Sequence, residues 1–175
     1  MTAVEAYELT THGGATDFAR IAAACEAFGP WCLIGGLAVN HYVEPVYTLD
    51  ANIVVIASRL AELLAYLREE GFGIEEHPDS VNAQPSASDL RIQFTTDSRY
   101  QQFLSRACEA TVLGVTVKVA SLEDIAQGKL WAWSDPSPRL SKRKKDELDL
   151  IRLAEAHPHL LRLYSEELRL LFRQP

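Results

Sequence analysis

Trp31-Cys-Leu-Ile-Gly-Gly-Leu-Ala-Val-Asn-His-Tyr42, followed after a short loop by Tyr47-Thr-Leu-Asp-Ala-Asn-Ile-Val-Val-Ile56, decides how this chain is expected to fold. Trp31 to Ile34 is an unbroken apolar run that reads as a buried strand, and Gly35-Gly36 ends it. Leu37 to Tyr42 has the pattern of a short helix, and Pro45 falls in the loop behind it. A second apolar strand, roughly Asn52 to Ile56, is opened by Asp50 and Asn52; its continuous apolar character predicts burial on both faces. Paired glycines at a strand-to-helix turn present backbone N–H groups to a polyphosphate with no side chain in the way. Side chains two residues apart on a strand point the same way, so Asp50 and Asn52 are placed to share a metal ion, the second through an amide.

Outward from this stretch, Phe18, Ile21, Ala22, Cys25 and Phe28 recur at helical spacing, and Gly29-Pro30 stops that helix. Leu60, Leu63, Leu64 and Leu67 mark another helix, ended by Gly71, and Gly73 to Glu75 reads as a short edge strand. His77 to Ser88, with two prolines and three serines, predicts a loop. Leu90 to Phe94 alternates as a strand does, Tyr100 to Cys108 reads as a helix, and Ala110 to Val119 as a hairpin turning at Gly114. Ser121-Leu-Glu-Asp124 resembles a capping box and starts a helix over Leu122 to Trp133, which Pro136 and Pro138 break. Helices near Ser141 to Ala156 and Leu160 to Phe172 follow. The expected fold is α/β (α+β): a mixed sheet flanked by helices over residues 1–120, with a helical C-terminal part over 121–175 packed on it as one compact unit.

At 175 residues the chain is long enough for one such domain, and 47% hydrophobic content supplies its core. The net charge of −7 argues against a general nucleic-acid coat, because neutralising phosphates needs surplus cations. Arg139, Lys142, Arg143, Lys144 and Lys145 are the local exception: a solvated helix start, with Lys145 spaced to pair with Asp149, or a patch that faces phosphate. The longest apolar run is too short for a bilayer, and the N-terminus has no secretory pattern, so a cytoplasmic protein is expected. Cys25 and Cys32 lie on apolar faces as core thiols, and no C-x-x-C spacing occurs. His157-Pro158-His159 sits at a helix break without further ligands nearby in sequence. Trp131 and Trp133 cannot share a helix face, so one is expected in the core and the other at a cleft edge, where a base could stack.

Gly35-Gly36, a helix, and Asp50-Ala-Asn52 opening a strand together resemble the nucleotidyltransferase fold of the DNA polymerase beta superfamily. The later motifs, Leu122-Glu-Asp-Ile-Ala-Gln-Gly-Lys129, the basic stretch and Lys145-Asp146-Glu-Leu-Asp149, resemble its AbiEii-like branch, the toxins of type IV toxin–antitoxin systems. The resemblance covers about residues 15–160. It implies three carboxylates holding two Mg²⁺ ions for phosphoryl transfer, a Gly35-Gly36 turn on the nucleotide phosphates, and Lys129 and Lys145 as nucleotide-binding cations. Asp146 and Asp149 would brace the helical part. The implied ligand is an NTP, the acceptor RNA or protein, and the partner a cognate antitoxin.

Matched residue by residue, Asp50 takes the first carboxylate position, Asn52 the second, and Gln93, in Leu90-Arg-Ile-Gln-Phe94, the third. Asp89 and Asp97 flank that strand and are the alternatives for the third. An amide oxygen can ligate Mg²⁺ but brings no charge, so the set falls from about −3 to −1. Each lost charge removes on the order of several kcal/mol of attraction at an effective dielectric of roughly 20. Two functions are therefore expected: a nucleotide- or partner-binding protein with weak or no NMP transfer, or an active Mg²⁺-dependent nucleotidyltransferase. A third is an interaction protein whose acidic surface meets a basic partner.

Overall fold

The computed structural model describes residues 1–173. A capping box, Thr2 with Glu5, starts helix α1 (Ala3–Thr10), and α2 (Gly14–Phe28) follows it. Strand β1 (Trp31–Ile34) leads directly into α3 (Gly35–Tyr42), so the helix begins on the glycine pair itself. Then come β2 (Asp50–Val55), α4 (Ala57–Glu69), β3 (Gly73–His77), β4 (Ser80–Gln84) and β5 (Arg91–Thr95). A 3-10 segment, Ser98–Arg106, precedes the hairpin β6 (Cys108–Val112) and β7 (Val115–Val119). Helices α5 (Leu122–Ser134), α6 (Leu140–Ala156) and α7 (Glu166–Leu170) complete the fold.

The seven strands form one mixed sheet in the order β3-β4-β5-β2-β1-β7-β6. β2 is its middle strand, and Ile53, Val54 and Val55 are all buried there, as a strand covered on both faces requires. β1 runs antiparallel to β2 and parallel to β7, while β2 and β5 run parallel. α2 packs against α4, and α3 packs against both α5 and α6. One apolar core joins Phe18 and Ile21 of α2 and Leu63 and Leu67 of α4 to the sheet residues Leu33, Ile53, Ile92 and Phe94.

Three expectations change. His77 to Ser88 is not all loop: Ser80–Gln84 is a strand, with Val81 and Ala83 buried, and Pro78-Asp79 is only the turn between β3 and β4. Tyr100 to Cys108 is a 3-10 segment capped by Asp97, and Cys108 already belongs to β6. The helix expected over Leu160 to Phe172 is divided, because the Ser165 hydroxyl accepts from the Leu168 N–H and restarts the chain as α7. Leu160, Tyr164 and Leu168 still reach the core from the separate pieces. No described helix is long and apolar enough to cross a membrane.

Candidate functional site

The edge where β2 and β5 begin is where the chemistry-bearing side chains gather. Parallel pairing sets Asp50 opposite Arg91 and Asn52 opposite Gln93. Since side chains two residues apart share a face, these four side chains form a square on one side of the sheet. The Asp50 carboxylate receives Arg91 Nε at 2.8 Å on Oδ1 and Lys145 Nζ, reaching over from α6, at 3.4 Å on Oδ2. The buried Thr48 hydroxyl accepts from the Asp50 backbone N–H at 3.2 Å and from Lys145 Nζ at 3.4 Å, so it fixes both ends of that bridge. Lys145 therefore meets Asp50 rather than Asp149, the partner its spacing favoured.

Gln93 is held by its amide N–H₂, which donates to Ser80 Oγ and Asn82 Oδ1, each at 3.3 Å, on β4. Asn52 lies against Gly35. That glycine has φ +70°, and a Cβ there would fall 2.9 Å from Asn52 Cγ and closer still to its amide nitrogen. Only glycine combines this backbone with this contact. No side chain caps α3, whose first residues are the glycine pair. Its amino-terminal N–H groups are therefore open to an acceptor from outside the chain.

These groups border a cleft of about 800 Å³ between the β2–β5 edge and α6. Gly36, Asp50, Asn52 and Gln93 line it, as do Arg91, Lys129, Arg139, Lys142, Lys145 and Asp146. With Glu75 from β3, five cations face three carboxylates, a local excess of two positive charges in a chain of net charge −7. A smaller cavity of about 170 Å³ adjoins it, sharing Asn52, Gln93, Lys129, Lys142 and Asp146 and walled by Tyr100 and Phe103. Burial, then the nearby Asp97 carboxylate, pushes the Tyr100 phenol up to about 12, so it stays a neutral donor.

Lys129 is buried, and its ammonium sits 2.8 Å from Asp146 and 2.7 Å from Asp149. Burial works against its charge, but the Asp149 and Asp146 carboxylates outweigh that and hold its pKa above the ordinary lysine value. Arg152 adds a second cation, 2.8 Å from Asp149, and its other nitrogen reaches Asn40 Oδ1 and the Glu44 carbonyl. This network ties α5 and α6 to the end of α3. The second oxygen of Asp146 has no hydrogen-bond partner.

Asp89 and Asp97 lie elsewhere: Asp89 is 2.6 Å from His12, and Asp97 pairs with Arg99. Trp131 stacks on Phe103 at 5.7 Å, and Trp133 donates to Glu147, so neither indole lines the cleft. His157 faces the Tyr42 carbonyl and His159 faces Glu123. Cys25 and Cys32 are buried, and Cys108 is exposed. Among the described residues, no group of three or more His, Cys, Asp or Glu side chains is placed to hold a metal ion. No motif in the sequence singles out Arg91 or Thr48. The signal for Arg91 is one of spacing alone, since Arg91 and Gln93 repeat the spacing of Asp50 and Asn52 on a strand that could pair with theirs.

No protein-family model and no curated protein matches the chain. Solved structures do. The solution structure of the antibiotic-resistance factor ANT(2'')-Ia superimposes with a TM-score of 0.64 at 20% identity, over 91% of this chain and 90% of that one. A crystal structure of ANT(2'')-Ia in complex with adenylyl-2''-tobramycin gives 0.61 at 19%, over 90% and 93%. An antigenic nucleotidyltransferase-like protein from Paracoccidioides brasiliensis gives 0.54 at 17%, over 81% and 75%. At such identities it is the architecture that is held in common, and the architecture of this chain is the nucleotidyltransferase fold.

Proposed function

We propose that this chain binds an NTP in the cleft beside Gly35-Gly36 and transfers NMP weakly or not at all. The observation that carries the proposal is the state of Asp50. It is the one carboxylate among the three positions matched to metal ligands, and both of its oxygens already face cations, Arg91 and Lys145. Asn52 and Gln93 add no charge, and the Gln93 amide is engaged by β4. Such a donor set does not fit a pair of divalent cations. A like unit charge about 4 Å away costs roughly 4 kcal/mol at an effective dielectric of about 20, and a divalent ion doubles it. The same cations, with the open start of α3, favour a polyphosphate.

The order Lys129, then Lys145-Asp146 and Asp149, supports an AbiEii-like relationship, with a cognate antitoxin as partner and RNA or protein as acceptor of any residual transfer. The smaller cavity beside the cleft favours a second reading, an adenylyltransferase-like protein with a small hydroxylated acceptor, as the tobramycin adduct bound by ANT(2'')-Ia illustrates.

The test is a calorimetric titration with ATP, coupled to an assay of labelled-NMP transfer to RNA, protein and aminoglycosides. Binding without appreciable transfer is expected. Robust transfer that vanishes in Asp50→Ala would overturn the proposal. The double variant Asn52→Asp/Gln93→Asp, which restores two charges, should bind Mg²⁺ at least tenfold more tightly; an unchanged affinity would mean that these positions are not the metal positions.

A further inference from the structure

We propose that Asp50 is an internal counter-ion, displaced by the phosphates of a nucleoside polyphosphate that binds this cleft without a metal ion. The inference rests on the nucleotide-binding function proposed above and concerns how the phosphate is held. In a metal-dependent site, a carboxylate in this position attracts the cation that in turn attracts the triphosphate. Here the cations belong to the protein. Arg91 and Lys145 approach the two oxygens of Asp50 at 2.8 and 3.4 Å, one from the neighbouring strand and one from α6. Arg139 and Lys142 line the same cleft and have no carboxylate within ion-pair distance among the described residues. Gly36, at the uncapped start of α3, lines it too.

The physical consequence is a competition. Asp50 is part-exposed and both its ion pairs reach the surface, so each is weak enough to exchange for a better anion. A phosphate offers Arg91 a bidentate acceptor with more charge than one carboxylate carries. Two protein cations released from Asp50, joined by Arg139 and Lys142, can take up the charge that Mg²⁺ neutralises in a metal-dependent enzyme. Asp50 then repels the ligand and lowers its affinity, opposite in sign to the role of a metal-binding aspartate. Mg²⁺ in solution competes for the same phosphate oxygens and does not assist.

The experiment is isothermal titration of ATP into the full chain in excess EDTA and, separately, in millimolar Mg²⁺, with wild type, Asp50→Asn and Arg91→Gln, and with inorganic tripolyphosphate as competitor. The expected result is binding in EDTA at least as tight as in Mg²⁺, tightened about fivefold or more by Asp50→Asn and weakened about fivefold or more by Arg91→Gln. Tripolyphosphate should compete. Binding lost in EDTA, or an affinity that Asp50→Asn leaves unchanged or lowers, overturns the counter-ion inference while leaving nucleotide binding intact. ATP binding that tripolyphosphate fails to compete also overturns it, since the grip would then lie on the nucleoside. No ATP binding in either buffer overturns the function on which it rests. Thermal melts confirm that each variant is folded, and if Asp50→Asn is not, Asp50→Ala replaces it, with the same tightening expected and an unchanged or lowered affinity overturning the inference.

Discussion

Lys129 illustrates how one side chain can be read in two ways until its neighbours are known. The family resemblance implies a place for it on nucleotide phosphate, whereas its helix alone allows a solvated side chain. In the fold it lines the cleft, yet its ammonium is already shared by Asp146 and Asp149. Both carboxylates are almost wholly buried, so their charge depends on Lys129 and Arg152. Lys129→Met is expected to lower the unfolding free energy by about 3–5 kcal/mol, because it leaves two buried carboxylates with one cation. Urea denaturation measures this, and a loss below about 1 kcal/mol would mean the network is not structural. Lys145 is the contrasting case. It is exposed and bridges to Asp50 at 3.4 Å, so its removal should change ligand binding far more than stability.

At the scale of elements, strand pairing converts separate short motifs into a site. Neither Asp50-Ala-Asn52 nor Arg91-Ile-Gln93 says which residue it faces; parallel pairing of β2 with β5 does. β4 then completes the arrangement by holding Gln93 from the far side, which a loop over the same residues would not do. The helical end has a comparable role. Tyr164, between the Pro158–Leu163 turn and α7, is 2% exposed and donates its hydroxyl to the Leu150 carbonyl at 2.7 Å. It presses the end of the chain onto α6, which carries Lys145 and Asp146. Tyr164→Ala should cost about 3–5 kcal/mol, as other large-to-small core changes do, with the loss read from the denaturation midpoint. A surface-like cost of about 0.5 kcal/mol would show that the end of the chain is not part of the cooperative unit.

For the molecule as a whole, the core titrates in one direction. Burial raises the Cys32 thiol from its ordinary 9.0 to about 12 and raises the Cys25 thiol further. Burial likewise lifts Tyr7, Tyr42 and Tyr100 from 10.0 to about 12. Between the unfolded and folded values the native state holds protons that the unfolded chain has lost, so stability falls as pH rises. The expected profile is flat near neutrality and declines from about pH 9, by about 1.4 kcal/mol per pH unit for each thiol, with the tyrosines joining above pH 10. The Lys129 network acts with the same sign, since its raised pKa lets the ion pairs persist until still higher pH. Denaturation midpoints measured against pH test this. In Cys25→Ala/Cys32→Ala the onset should move toward pH 10, and an onset left at pH 9 would refute the assignment to the thiols.

The apolar run Trp31–Ile34, the glycine pair and the strand that follows carry the mixed α/β class, because period and punctuation are local properties, and with the later motifs they carry the resemblance to the nucleotidyltransferase fold; β4 lay outside their reach, its short run masked by the prolines and serines around it. The motif order along the chain likewise placed the glycines, Asp50, Asn52 and Gln93 in a common frame. What tertiary structure alone decided was which charges meet. Arg91 and Lys145 lie 41 and 95 residues from Asp50 in the chain, and Lys129 lies 17 from Asp146, so no local pattern reports their pairing. Electrostatic energy depends on separation in space and on burial, and both arise only once the sheet is paired and the helices are packed.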